Sequence, residues 1–208
     1  MARLTSVSLR RSATLVAAMA VLALTAGALA YPKPARVPIR WELTFQPGPL
    51  RLYVDRAGGG QAYWYFTYKV TNLTGQDRFW APRVTLFADT GEITDGGEGV
   101  PPSVEMSLIE LLGNPFLQRQ NQVIGKIFVG HDNAIEGLVV WPAHNLQATE
   151  LSVFVSGISG ETAEVNNPVT GQRIVLQKTL QRNYVVPGDP LSRRSTPVEL
   201  ASEDWVMR

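Results

Sequence analysis

Cysteine is absent from this 208-residue chain. Its absence excludes a disulfide framework, a thiolate metal site, a cysteine nucleophile and a lipid anchor on an N-terminal cysteine. An exported protein without disulfides is held by packing alone, which a domain of this size can supply. Histidine is scarce: His131 and His144 are the only two. Neither sign of charge is in excess, since 19 Lys and Arg stand against 18 Asp and Glu, for a formal charge of +1. Nucleic acid is therefore not expected as a partner, because binding a phosphate backbone needs clustered Lys and Arg. Gly58-Gly59-Gly60 is not followed by Lys-Ser or Lys-Thr at the spacing of a phosphate cradle. No pattern in the chain calls for a cofactor, and none is expected.

What is present starts at the N-terminus. Arg3, Arg10 and Arg11 precede an almost wholly apolar run, Ala13 to Leu29, which closes on Ala28-Leu29-Ala30 before Tyr31-Pro32. That order of basic, apolar and small residues is that of an export signal peptide over 1–30. It predicts an exported protein, periplasmic, in the cell envelope or extracellular. The apolar run is near bilayer length, so membrane contact is expected only if the signal is uncleaved. Arg10-Arg11 also allows a twin-arginine reading, although the flanking residues fit it poorly. The predicted domain then spans 31–190. The tail over 191–208 is expected to dock on it, because a free tail rarely carries the tryptophan of Trp205-Val206-Met207.

Period-two alternation dominates the rest. Val37, Ile39, Trp41, Leu43 and Phe45 share one face of a predicted strand. Gln46-Pro47-Gly48-Pro49 reads as a turn, after which Leu50, Leu52 and Val54 alternate again. Gln61 to Thr71 carries the strongest strand pattern, with Trp64, Phe66, Tyr68 and Val70 on one face and Tyr63, Tyr65, Thr67 and Lys69 on the other. Further strands are predicted over 82–88, 123–129, 135–141, 151–156 and 173–186, the more uniformly apolar of them central. One helix is predicted after Pro101 and Pro102, capped by Ser103, stopped at Gly113-Asn114-Pro115 and lying as a plug across one end of the strands. Eight or nine short strands separated by turns predict a sandwich or barrel.

The segment Tyr65-Phe66-Thr67-Tyr68-Lys69-Val70-Thr71-Asn72-Leu73-Thr74-Gly75 resembles the strand-and-turn pattern of bacterial immunoglobulin-like domains. Glu136 to Pro142, with the strand from Leu151 to Ile158, is similar to exported bacterial proteins of this kind. The resemblance implies an all-β fold, an immunoglobulin-like antiparallel β-sandwich with one short helix inserted, and an exported, non-catalytic role. The paired cysteines of antibody domains are missing, so it implies architecture and no residue-level site.

Candidate chemistry is sparse. Gly157-Ile158-Ser159-Gly160 is like a nucleophile elbow but has Glu161 where the last glycine belongs, so an ordinary turn is expected. His131, Asp132, Glu136 and His144 carry metal-ligand atoms without helical spacing, and no metal is expected. Asp89, Glu92, Asp95 and Glu98 lack the alternate spacing of a calcium loop. Glu42, Asp55 and Glu150 are scattered on strands as surface acids. Asn72-Leu73-Thr74 matches a glycosylation acceptor. The best binding candidates are Tyr63 and Tyr65, which the alternation turns away from the Trp64 face; exposed tyrosines on a sheet stack on sugars or anchor a partner. The expected function is a non-catalytic structural or interaction module of the cell envelope, with an envelope protein or glycan as partner. The alternatives are a carbohydrate-binding module on Tyr63 and Tyr65, or an extracellular hydrolase using His131 or His144 as base.

Overall fold

The structure, a computed structural model, describes residues 31–193 and 196–208. The export-signal reading falls on 1–30 and lies outside the described residues. Met1–Lys33 separates as one unit, of which only 31–33 is described; Pro34–Arg208 forms a second. Half of the described residues are in strands. In order they are β1 (Thr44–Asp55), β2 (Gln61–Thr71), β3 (Arg78–Trp80), β4 (Arg83–Ala88) and β5 (Ile93–Asp95). The helix α1 (Pro102–Leu112) follows, then β6 (Leu117–Arg119), β7 (Gly125–Ile127), β8 (Ile135–Pro142) and β9 (Glu150–Ser156). The last are β10 (Thr162–Asn166), β11 (Arg173–Val185) and β12 (Glu199–Met207).

Two sheets share one core. The first has the order β1-β2-β8-β6, and the second runs β10-β11-β9-β4-β5 with β12 on the other edge of β11. Trp64, Phe66, Tyr68 and Val70 of β2, with Val139 and Trp141 of β8, pack against Val84, Leu86, Val153, Val155, Leu180 and Tyr184 of the second sheet. Among the named strands pairing is antiparallel except for β6 on β8, which is parallel. A small β3–β7 ribbon adds Trp80 and Ile127 to the same core.

The opposite face of the first sheet has its own cover. Tyr63, Tyr65, Leu138 and Val140 pack with Val104 and Leu108 of α1. The helix thus lies over a sheet face and is not the end plug expected. Its apolar contact is Val104 and Leu108, while Met106 and Leu111 are exposed. Ser103 does not cap it: Pro101 holds the cap position with no side-chain bond, and Pro102 begins the first turn, where a missing N–H costs nothing. Gly113 ends it in the left-handed region at φ 62°.

The start of the domain also departs from the alternation. Val37 and Ile39 are 75% and 70% exposed, and β1 begins only at Thr44. The expected turn at Gln46-Pro47-Gly48-Pro49 is instead a bulge inside β1, where the register against β2 shifts between Pro47 and Leu50. An edge strand tolerates the two prolines because its outer N–H groups have no sheet partner. Gly48 is required there: a Cβ would meet Thr67 Oγ1 and come within 2.8 Å of its carbonyl oxygen. The C-terminal Glu199–Met207 is a full edge strand, paired with Lys178–Val185. No helix among the described residues is long and apolar enough to cross a membrane.

Candidate functional site

Strand β11 carries an unusual inner face. Leu176, Lys178, Leu180, Arg182 and Tyr184 follow period two, and all five are buried. Two cations therefore stand where the alternation calls for apolar residues, and a buried cation needs a partner. Lys178 is 1% exposed. Its ammonium lies 2.9 Å from Glu42 Oε2 and 3.5 Å from Glu161 Oε2, and it donates to the Ala35 carbonyl at 3.0 Å. It also sits 4.7 Å from the centre of the Trp205 ring, a cation–π distance. Arg182 pairs through Nη1 with Glu203 Oε2 at 3.1 Å and lies under the Phe66 and Tyr184 rings. Burial pushes the Tyr184 hydroxyl up to about 12, with Arg182 opposing.

The backbone explains how Glu42 and Glu161 reach one lysine. Between β9 and β10 the chain leaves the second sheet, and Ser159 bridges to Glu42, just before β1. Leu43 N–H donates to the Ile158 carbonyl and Gly160 N–H to the Trp41 carbonyl, both near 2.9 Å or shorter. Trp41 lies against Gly160, where any Cβ would strike its indole. This crossing strap joins the edge of the first sheet to the interior of the second.

Outward from the two cations, the segment 38–45 leading into β1 and the facing residues Glu203 and Trp205 of β12 form the walls of a crevice. Further along, Val198 N–H, just before β12, donates to the Leu50 carbonyl of β1 at 2.8 Å. Toward Thr44 and Trp205 the walls enclose a cleft of about 600 Å³ lined by Trp41, Glu42, Phe45, Leu180, Glu203 and Trp205. Its aromatic rings supply flat apolar surface, and its carboxylates supply acceptors held by the cations behind them. Arg182 Nε has no hydrogen-bond partner in the described structure. Cavities of this volume fall in the range of small-molecule sites.

The residues expected from sequence lie elsewhere. Tyr63 and Tyr65 are 4% and 7% exposed, beneath α1, and do not form the solvent-facing platform the alternation allowed. Period two separates the faces of a strand but does not say whether a helix covers one of them. Burial pushes both hydroxyls upward. Glu42, read as a surface acid, is the partner of a buried lysine. Asn72 is fully buried, its amide donating to the Gln76 and Ile127 carbonyls, so the glycosylation match is structural. Ser159 is buried in the strap, its hydroxyl accepting from Glu161 N–H. His131, in the short 3-10 helix His131–Asn133, and His144, in the loop before β9, are both exposed. Glu136 accepts from Asn114 Nδ2 at 2.6 Å and faces Lys69. Asp89 is held by Thr149, and Asp95 by Arg83 and Thr85. Sequence reasoning missed Lys178, Arg182, Glu203 and the placing of Trp41 and Trp205 in one cleft. The available signal was two cations in the apolar phase of Arg173–Val185. No family model, curated protein or solved structure matches this chain.

Proposed function

We propose that this chain is an exported, non-catalytic, immunoglobulin-like β-sandwich that acts as an interaction module of the cell envelope and holds its partner in the β1–β12 crevice. The observation that carries this reading is the pairing of the crevice acids. Glu42 and Glu203 each face a buried cation, an arrangement that presents fixed acceptors beside aromatic rings. Preorganised acceptors and rigid rings bind at low ordering cost. The two facing sheets support the sandwich architecture; the parallel β6 and the helix over Tyr63 and Tyr65 are its departures from a plain immunoglobulin-like plan.

The test is co-sedimentation of the full chain with isolated cell envelopes. Retention in the pellet is expected, and Thr44→Trp, which fills the crevice mouth from an exposed position, is expected to release it. A chain that stays in the supernatant, or one retained equally by the variant, overturns the reading.

A further inference from the structure

We infer that the crevice takes a neutral oligosaccharide. The inference rests on the crevice being the binding site and adds the chemistry of its ligand. Three observations converge on it. First, the rings of Trp41, Phe45 and Trp205 line one cleft, and aromatic faces pack against the C–H faces of sugar rings. Second, Glu42 and Glu203 line the same cleft with carboxylates, which accept from hydroxyl groups, and Arg40 lines it with a guanidinium, which donates to them. A polyol offers hydroxyls that donate and accept, and so answers both.

Third, the charge around the cleft is near balance. Lys178, Arg182, Arg40 at the lining and Arg78 over the Trp41 ring at 5.1 Å stand against Glu42, Glu161 and Glu203. An anionic ligand meets the carboxylates that front the cleft, and a cationic one meets the two buried cations behind them. A neutral ligand avoids both costs, because a charge brought into a partly desolvated site needs an unpaired opposite charge. Here the buried charges already have partners. The cleft of about 600 Å³ is open to solvent, with the exposed Thr44 at its lining, so a chain of sugar rings can enter it.

The experiment uses the full-length chain and follows tryptophan emission and calorimetric heat. The probes are cellohexaose, chitohexaose and maltohexaose, with a heparin hexasaccharide and hexalysine as charged controls. At least one neutral hexasaccharide is expected to bind saturably. Glu203→Gln and Thr44→Trp are each expected to weaken it by about tenfold or more, a loss of the size seen when a central contact is removed. Thr44→Trp removes no buried side chain, so an unchanged melting temperature separates lost binding from lost folding. The inference is overturned if no neutral hexasaccharide binds at millimolar concentration, if either charged control binds more tightly, or if binding survives both variants. Crevice-dependent sedimentation with envelopes that none of the sugars competes away sinks the saccharide and leaves the interaction module standing. Failure to sediment sinks the module itself.

Discussion

Lys178 decides how the N-terminal edge of the domain is held. It draws Glu42, Glu161 and the Ala35 carbonyl to one buried point, and Ala35 N–H returns a bond to Glu161 at 2.8 Å. Removing the lysine alone leaves the nearly buried Glu161 without its counter-charge. Lys178→Met is therefore expected to cost about 3–5 kcal/mol, and the pair Lys178→Met with Glu161→Gln to recover a large part of it. Urea denaturation of the two variants measures the difference; an equal loss in both would show that packing and not charge sets the cost. At Gly137 the constraint is steric. The Tyr68 ring lies across that residue from the paired strand, where any Cβ would collide with it. Tyr68 in turn meets Trp80 edge-on at 5.8 Å, in the centre of the core. Gly137→Ala is expected to destabilise by about 1–3 kcal/mol, as overpacking does, and a midpoint shift in the same denaturation reads it.

At the scale of elements, α1 lies on a sheet face and not across the end of the strands as expected. Val104 and Leu108 cover Tyr63, Tyr65, Leu138 and Val140, and Leu108 is fully buried. Leu108→Ala is expected to cost about 2–5 kcal/mol. It is also expected to let Tyr63 and Tyr65 titrate at lower pH, since burial is the main cause that raises both hydroxyls. Absorbance of tyrosinate against pH checks this; an unmoved alkaline titration would mean that the helix does not shield them. The bulge in β1 works at the same scale. Pro47 and Pro49 deny an incoming strand its donors, and the shift in register lets Leu50 rejoin the core beside β2.

Across the whole molecule, the acid response is a sum of opposed carboxylates. The Lys126 ammonium holds Asp77 below the usual carboxylate range, the Thr149 hydroxyl does so for Asp89, and Arg83 for Asp95. Each folded value is depressed, so each contributes stability above the unfolded value near 4 and loses it as pH falls through the folded value. Glu105 has the other sign. Burial raises it, with Arg119 opposing, so its ionised form is penalised in the folded state and acidification relieves the penalty. The melting temperature is expected to be nearly flat above about pH 6 and to fall below about pH 4. Glu105→Gln is expected to raise it at pH 7 and to leave it unchanged near pH 3. Calorimetric scans across that range test both signs; a lower melting temperature for the variant at pH 7 would reverse the assignment.

The alternation of Trp64, Phe66, Tyr68 and Val70 was enough to place a strand over Gln61–Thr71, and Gly113 enough to end the helix. Those features are local, because period two and left-handed glycine act within a few residues of chain. The export signal expected over 1–30 likewise rests on local composition alone. The crevice is not local. Glu42, Leu180 and Glu203 come from three distant stretches, and they meet only because the strap between β9 and β10 crosses to the first sheet while β12 returns along β11. The same holds for Tyr63 and Tyr65, whose burial depends on where a helix 40 residues later comes to rest, a distance of roughly that size along the chain being invisible to any pattern of period two. Side-chain phase is set by backbone geometry, and the choice between water and a neighbour by the path of the rest of the chain.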